Sequence, residues 1–153
     1  MKKNLFKIFQ IFVLFCISLS ANDGPCQEIL KLEKTALDRW QNGDVYGFIE
    51  LSAENISYFD PSLEIRLDRK RVFKAYLGPL FKKFKIYRYE ILNPKIYCNG
   101  LLGVLCFNLH NYNKDGAVSS KWNSTEVYQK IDGKWKIIHS HWSKTKPKTE
   151  NKQ

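Results

Sequence analysis

The fold is decided in the second half of the chain, where residues 86–143 read IYRYEILNPKIYCNGLLGVLCFNLHNYNKDGAVSSKWNSTEVYQKIDGKWKIIHSHWS. Turn signals at Asn99-Gly100, at 113–116 (NKDG) and at Asp132-Gly133 divide this stretch into four segments. Each signal supplies Gly or Asn where a tight turn needs a positive φ. The segments themselves are rich in β-branched and aromatic residues, which favour a pleated, half-buried surface. The sequence therefore predicts a four-stranded antiparallel meander.

Helical periodicity dominates the part of the chain before the meander. Apolar residues recur at helical spacing between Pro25 and Gly43, and a second, shorter helix is predicted at about 45–51. A short strand over 56–60 follows, and then a third helix that Gly78-Pro79 should bend or break. Helices first and strands afterwards predict an α+β domain, with a curved antiparallel sheet wrapped around the N-terminal helix. Such a sheet forms a cone with an open mouth, where we expect a pocket.

Composition places the chain among globular proteins with one domain. It has 153 residues, 44% of them hydrophobic and 14% aromatic, which excludes a disordered chain. The net charge is +10, but three of the basic residues fall within residues 1–20. Without that segment, 22 basic residues face 15 acidic ones, and the charge is +7.

Residues 1–20 have the three parts of a secretory signal peptide: an N-terminal lysine cluster, an apolar run over 8–19, and small residues before Ala21. We therefore expect an exported, soluble protein, periplasmic or secreted, with a domain over 22–144 and a basic flexible tail over 145–153. A retained membrane anchor is the alternative, but the apolar run is short and Gln10 interrupts it.

Three cysteines remain after removal of the signal: Cys26, Cys98 and Cys106. An oxidising compartment permits one disulfide among them. The predicted hairpin register makes Cys98 and Cys106 a poor pair, which leaves a bridge from Cys26 to either strand cysteine, or three free thiols. The sequence has no CxxC motif or Cys/His spacing typical of zinc, so we predict neither a metal nor a cofactor.

Several motifs resemble one known group of proteins. The stretches GDVYGFIELSAENISYFDP, ILNPKIYCNG, NYNKDG and WNSTEVYQKIDGKWKIIHSHWS are similar to the nuclear-transport-factor-2-like superfamily, in its SnoaL-like branch. Within that branch they most resemble the association (hub) domain of calcium/calmodulin-dependent kinase II. The resemblance covers residues 28–143 and implies a cone-shaped, cystatin-like roll with a deep pocket. It also implies a homodimer formed through the sheet, and assembly of dimers into rings, but no kinase activity.

The resemblance has one departure that concerns the ligand. Hub domains line their pocket with arginines on the strands that match FNLHNY and TEVY, where this chain has Asn108 and Glu126. The resemblance therefore does not imply an anionic ligand here.

Strand alternation selects the candidate catalytic residues. On the last strand Trp135, Ile137, His139 and His141 share one face, and Glu126 lies on the preceding strand. A carboxylate beside an imidazole can transfer protons, so Glu126, His139, His141 and Asp60 form a candidate acid/base set. The alternative is a buried Glu that is hydrogen-bonded in the sheet core. The two histidines could also chelate a metal, but no third ligand follows at a set spacing.

The candidate ligand-binding residues are those that the same alternation turns towards the cone: Tyr58, Asn108, His110, Trp122 and Ser124. Aromatic residues there would form a wall for a flat ligand, although plain core packing explains them equally well. The opposite face, with Val127, Ile138 and Trp142, suits a sheet-to-sheet homodimer.

Three functions follow from this sequence. The first is an exported homodimeric pocket domain that binds a small molecule or serves as an assembly module, without chemistry of its own. The second is a small acid/base enzyme, an isomerase or hydrolase, and the third is a protein-interaction module. Lysines and Arg88 alternate with aromatic residues over 82–89, but export and strand alternation argue against a nucleic-acid partner.

Overall fold

The structure is a computed structural model that describes residues 24–145. The predicted signal peptide over 1–20 and the tail from residue 146 onwards lie outside the described residues. The helices are α1 (Pro25–Gln41) and α2 (Tyr46–Leu51), and the strands are β1 (Ser52–Phe59), β2 (Leu67–Asp68), β3 (Arg88–Cys98), β4 (Leu102–Tyr112), β5 (Val118–Ile131) and β6 (Lys134–Lys144). None of the helices between residues 24 and 145 has the length and apolar character needed to cross a bilayer.

The strands form a curved sheet in the order β2-β1-β6-β5-β4-β3, which confirms the predicted α+β fold. Strands β3 to β6 pair consecutively and antiparallel, as the turn signals predict. Strand β1 pairs with β6 in parallel, a long-range contact that no turn signal announces. The predicted third helix is a π-helical turn over Arg71–Leu77, followed by a 3₁₀ turn that begins at Gly78.

A β-bulge interrupts strand β3 at Asn93-Pro94. The pairing of β3 with β4 shifts between Leu92 and Lys95, and Asn93 has a φ of 52°. Proline cannot donate a hydrogen bond to the ladder, and β3 is an edge strand of the sheet, where such an interruption is tolerated.

Helix α1 packs its apolar stripe across the inner face of the sheet. Ile29, Ala36 and Leu37 are fully or almost fully buried against residues such as Leu105 and Ile137. The closest approach is at Gly103 on β4, where an added Cβ would overlap Ile29 Cδ1. Glycine at this position therefore sets how closely helix and sheet can pack.

A disulfide joins Cys26 at the start of α1 to Cys98 at the end of β3, with the two Cα atoms 6.0 Å apart. This bridge is one of the pairings that the sequence left open. Cys106 is a free thiol, half-buried on β4, and its Sγ lies 3.9 Å from the hydroxyl oxygen of Thr125.

A β-bulge at Ile138 overturns one prediction about the last strand. Tyr128 pairs with Ile137 and Val127 pairs with His139, so Ile138 has no partner on β5. The extra residue reverses the alternation beyond it. Trp135 and Ile137 face the core as predicted, but the next inward residues are Ser140 and Trp142 rather than His139 and His141. The predicted inward orientation of the two histidines, and the outward orientation of Trp142, are therefore wrong.

Candidate ligand-binding site

A cavity of about 150 Å³ lies between α1, α2, the inner face of the sheet and the chain over 72–80. Its wall comes from widely separated parts of the sequence, which the curvature of the sheet brings together. The lining residues are Leu37, Trp40, Phe48, Ser52, Ile56, Tyr58, Asp60, Val72, Leu77, Leu80, Leu109, Asn111, Trp122, Ile137, Ser140 and Trp142.

Four of these residues form an aromatic wall. Trp40 on α1 meets Phe48 on α2 edge to face, with ring centroids 5.9 Å apart. Trp122 on β5 meets Trp142 on β6 in the same way, at 6.3 Å. Edge-to-face contacts hold such rings in fixed orientations, so the wall offers flat apolar surfaces to a ligand.

Polar side chains are a minority of the lining: Ser52, Tyr58, Asp60, Asn111 and Ser140. Tyr58 Oη donates a hydrogen bond to Asp60 Oδ2 at 3.2 Å, and the backbone N–H of Ser62 donates to Asp60 Oδ1 at 2.8 Å. This Asx turn ends β1 and fixes the carboxyl group against the cavity. On β4, Asn111 Nδ2 donates to Ser120 Oγ at 3.0 Å. The cavity is therefore mainly apolar, with a carboxyl group on one side and an amide on another.

The predicted site residues divide between the two faces of the sheet. Tyr58, Asp60 and Trp122 line the cavity. Ser124 and Glu126 are buried on the same inner face but do not line it. Strand β5 has no bulge between Trp122 and Glu126, so simple alternation predicted the inward orientation of Trp122, Ser124 and Glu126 correctly.

The other predicted site residues lie on the outer face: Asn108, His110, His139 and His141. Asn108 belongs there to a row of amides, since Asn93 Nδ2 donates to its Oδ1 at 3.1 Å and its own Nδ2 donates to Asn123 Oδ1 at 2.8 Å. The predicted inward orientation of Asn108 and His110 is wrong because even-numbered residues of β4 point away from α1.

The structure does not bring Glu126 together with either histidine on one face. His139 Nδ1 instead shares a hydrogen bond of 2.7 Å with Ser57 Oγ, and both imidazoles pack on Phe59. Burial, and to a lesser degree the charge of His141, lowers the pKa of His139. Between residues 24 and 145, no group of three or more metal-ligating side chains is arranged around a common point.

The sequence interpretation missed a buried cluster of carboxyl groups beside the cavity. Glu33 on α1 and Glu126 on β5 have no exposed surface, and neither has Tyr128. Tyr128 Oη donates to Glu33 Oε2 at 2.5 Å, while the hydroxyls of Ser140 and Ser124 donate to Glu126 Oε1 at 2.9 and 3.2 Å. The sequence did indicate that Glu33 could be buried, because it lies four residues from both Ile29 and Leu37, in the apolar stripe of α1.

Burial dominates the electrostatics of this cluster. It raises the pKa of Glu33 to about 7, although the hydrogen bond from Tyr128 opposes the shift. Burial, and next the nearby Glu33, raises the pKa of Glu126 well above its usual value. The pKa of Tyr128 is raised as well, mainly by burial. Carboxyl groups in this setting favour their protonated form.

Comparison with known proteins confirms the resemblance seen in the sequence. A family model described as the calcium/calmodulin dependent protein kinase II association domain matches residues 25–146. A structure from Parabacteroides distasonis, described as a candidate ketosteroid isomerase, is 35% identical with a TM-score of 0.71, and the match covers 84% of this chain and 94% of that one.

More distant structures share the fold. The association domain of the kinase from C. elegans is 20% identical with a TM-score of 0.63, over 76% of this chain and 93% of that one. A candidate association domain from Xanthomonas campestris is 23% identical with a TM-score of 0.63, over 80% and 89%. The family model matches most of the sequence, and the chain therefore belongs to the family of the calcium/calmodulin-dependent protein kinase II association domain.

Proposed function

We propose that the protein is an exported, self-associating pocket domain that binds a small, flat, largely apolar molecule without a negative charge, and that it has no chemistry of its own. The observation that carries this proposal is the composition of the cavity wall. Aromatic and aliphatic side chains form most of it, and the only ionisable side chains among the described lining residues are Asp60 and Tyr58. A concave, apolar site with a few polar groups is the usual form of a small-molecule site.

The preference for a ligand without negative charge follows from the lack of cationic side chains among the described residues of the cavity wall. None of the described lining residues is a lysine, arginine or histidine. An anion that entered the cavity would lose its hydration without gaining a cationic partner, which carries a large desolvation cost. The nearest acidic group, Asp60, would add repulsion. We therefore expect neutral molecules to bind and their carboxylate analogues to be rejected.

The size of the cavity limits the ligand to one or two rings. An apolar cavity of about 150 Å³ is large enough to bind benzene in another protein. The cavity here is also about 150 Å³, and Asp60 and Asn111 supply polar groups in its wall. Indole is therefore a suitable neutral probe, and indole-3-carboxylate is its matched anion.

Calorimetric titration of the mature protein tests the ligand class. We expect measurable binding of indole, and binding of indole-3-carboxylate that is weaker by at least about tenfold, since an unpaired buried charge costs more than 1.4 kcal/mol. Trp142→Ala should abolish indole binding, because it removes one side of the aromatic wall. Tyr97→Ala, on an exposed aromatic residue away from the cavity, is the control and should bind normally. Equal affinity for the two compounds, or no indole binding, would contradict the proposal.

Self-association is supported by membership of an association-domain family. The surface that we propose for a homodimer is the outer face of the sheet, where Val104, Val127 and Ile138 are only half-buried and Leu102 is exposed. Apolar residues on a face turned from the core favour a partner. Light scattering should show a dimer or a larger ring, and Val127→Asp should reduce it to a monomer. Ile65→Asp, in an exposed loop, should leave the assembly intact.

Export is supported by the disulfide together with residues 1–20. A bond between Cys26 and Cys98 is typical of proteins that mature in an oxidising compartment. Fractionation of the host, followed by intact-mass measurement, should find an oxidised chain that begins at Ala21 outside the cytoplasm. A full-length chain with reduced thiols in the cytoplasm would contradict this part of the proposal.

A second candidate function is proton transfer by Asp60, because its carboxyl group lines the cavity and the relative from P. distasonis is described as a candidate isomerase. Isomerisation of a small β,γ-unsaturated ketone, followed by absorbance, tests it. Turnover that disappears in Asp60→Asn while indole still binds would favour this function over binding alone.

A further inference from the structure

Residues 69–89 carry positive charge without any acidic residue among them. Eight of these 21 residues are basic: Arg69, Lys70, Arg71, Lys74, Lys82, Lys83, Lys85 and Arg88. Each of the three arginines pairs with a nearby carboxylate, at 3.1, 3.1 and 3.7 Å. Four of the eight basic residues fall within residues 81–88, FKKFKIYR, which we call the basic loop. Neither the proposed ligand site nor the proposed dimer face uses this loop.

The backbone of the basic loop is held by the end of helix α1 and the connection that follows it. The N–H of Lys82 donates to the carbonyl oxygen of Gly43 at 2.9 Å. Lys82 has a φ of 55°, a conformation that the surrounding structure has to support. The ring of Phe84 packs on Trp40 of α1, with ring centroids 4.7 Å apart. Because its middle is anchored in this way, the loop presents its other side chains on a defined surface.

The lysine side chains of the loop carry charge that the described part of the molecule does not neutralise. Lys82, Lys83 and Lys85 are exposed, and none of them has a carboxylate oxygen within 4.0 Å among residues 24–145. The largest cause that lowers the pKa of Asp44 is its hydrogen bond from Arg39, and the smallest is the charge of Lys82. Three uncompensated cations on one short loop attract an anionic partner.

Aromatic side chains alternate with these lysines and are exposed as well. Phe81 is 36% exposed and Tyr87 is 56% exposed. Tyr46 of α2, also exposed, meets the ring of Phe81 edge to face, with centroids 5.2 Å apart. The Nζ of Lys82 lies 5.2 Å from the centre of the same ring. Apolar rings beside ammonium groups match the layer of a bilayer in which lipid headgroups meet acyl chains.

We propose that the basic loop docks the protein on the surface of a bilayer that contains anionic phospholipids. Lys82, Lys83 and Lys85 meet the lipid phosphates, while Phe81 and Tyr87 enter the headgroup layer. The proposal stands on this surface alone and goes beyond the proposed binding of a small molecule in the cavity.

Nucleic acid is the other polyanion that a basic surface attracts, and the loop is less suited to it. Arginine is the usual residue for nucleic-acid phosphates, because its guanidinium donates two hydrogen bonds in a fixed geometry. The only arginine of the loop, Arg88, is already engaged by Glu90 at 3.7 Å and by the ring of Tyr112 at 3.6 Å. The unpaired cations are lysines, which attract as point charges without a fixed geometry. Such charges suit a fluid lipid surface.

Co-sedimentation of the mature protein with vesicles tests the docking. Vesicles of phosphatidylcholine and phosphatidylglycerol in equal parts should bind the protein, and vesicles of phosphatidylcholine alone should bind it at least about tenfold more weakly. Raising NaCl from about 0.05 M to about 0.5 M should weaken the binding, because salt screens the attraction of the lysines. No binding to the anionic vesicles, or equal binding to both kinds, would overturn the proposal.

Charge variants show whether the loop is the surface that binds. The triple variant Lys82→Asn, Lys83→Gln, Lys85→Gln removes three charges, and asparagine suits the positive φ at position 82. Each basic residue near an anionic surface contributes about fivefold in affinity, so this variant should bind the anionic vesicles about a hundredfold more weakly.

The matched control changes the net charge equally at exposed positions elsewhere. Lys31→Gln, Lys114→Gln, Lys134→Gln should bind the anionic vesicles within about threefold of the wild type. Equal losses in the two triple variants would overturn the role of the loop, because the net charge alone would then explain the attraction. Melting temperatures show whether both variants are folded, and the lipid and salt dependence of the wild type decides the proposal without them.

The aromatic side chains give a test that does not depend on charge. Phe81→Ser combined with Tyr87→Ser keeps every lysine and should weaken binding to the anionic vesicles by about tenfold. Tyr97→Ser, at the other end of β3 and 59% exposed, is the control and should bind normally. Unchanged binding of the double variant would overturn the entry of the rings into the headgroup layer. Tighter binding to a short DNA duplex than to the anionic vesicles, at the same salt concentration, would overturn the choice of a membrane as the partner.

Discussion

The hydroxyl group of Tyr128 is a hydrogen-bond donor to the buried carboxyl group of Glu33. It lies 2.5 Å from Glu33 Oε2, and both side chains are inaccessible to solvent. In Tyr128→Phe the carboxyl oxygen keeps its burial but loses its donor. We expect the free energy of unfolding to fall by about 1–3 kcal/mol, as measured by urea denaturation near pH 6.

The same substitution on the outer face gives a matched control. Tyr112 Oη donates to Glu90 Oε2 at 2.5 Å, but Glu90 is 45% exposed and water can replace the hydroxyl. Tyr112→Phe should therefore cost less than about 1 kcal/mol. Equal losses of unfolding free energy in Tyr128→Phe and Tyr112→Phe would show that burial does not determine how strongly the Tyr128 hydrogen bond stabilises the fold.

Residue-level predictions from the sequence held where only local alternation was needed. Glu126 was placed on the inner face of β5 because Tyr128 and Ser124 share its parity, and the structure agrees. The burial of Glu33 was not predicted, because a charged residue on a helix is ordinarily assigned to the solvent-exposed side. Only the burial of the surrounding stripe, which depends on the sheet, shows that Glu33 belongs to the core.

At the scale of the element, the bulge in β6 decides which side chains reach the cavity. Alternation from Trp135 predicts Ile137, His139 and His141 inward, and it fails after Ile137 because Ile138 is an extra residue relative to β5. The shift arises because β6 has one more residue than β5 over the paired stretch. The sequence of β6 alone does not reveal this mismatch. Trp142 thereby becomes a cavity residue rather than part of a dimer face.

The turns and helices, by contrast, were predictable because local sequence specifies them. Gly100 and Gly133 have φ values of 89° and 75°, which few other residues adopt, so the turns could be read from composition. The parallel pairing of β1 with β6 joins Ser57 to His139 across most of the chain. No local signal specifies that contact, which places Tyr58 of β1 beside Ser140 of β6 in the cavity wall.

The packing of α1 on β4 gives a prediction at this scale. Gly103→Ala would place a methyl group against Ile29 Cδ1, and Ile29 is completely buried in the hydrophobic core. We expect a loss of about 1–3 kcal/mol in the free energy of unfolding, measured by urea denaturation.

Gly24→Ala is the control for this helix. Gly24 is the N-cap of α1, and a Cβ there would meet no atom within 4 Å. Its cost should be below about 1 kcal/mol, from the weaker capping preference of alanine. A Gly103→Ala variant as stable as Gly24→Ala would mean that α1 can move away from the sheet without loss.

For the whole molecule, the disulfide is the strongest single constraint. It joins residues 72 positions apart, and closing a loop of that length stabilises a folded chain by up to about 4 kcal/mol. The double variant Cys26→Ser, Cys98→Ser should unfold at a clearly lower urea concentration than the wild type, and reductant should bring the wild type to the same midpoint. Cys106→Ser, which removes the free thiol, should leave the midpoint unchanged.

The position of this bond also governs how the molecule responds to a pull. Tension applied to the start of α1 passes through the sulfur atoms to the end of β3, on the far edge of the sheet. With the bond oxidised, the helix therefore cannot be peeled away from its first turn, and rupture has to begin by shearing β3 from β4. In a single-molecule stretching experiment, we expect reductant to convert one high-force event into an early, low-force detachment of the helix.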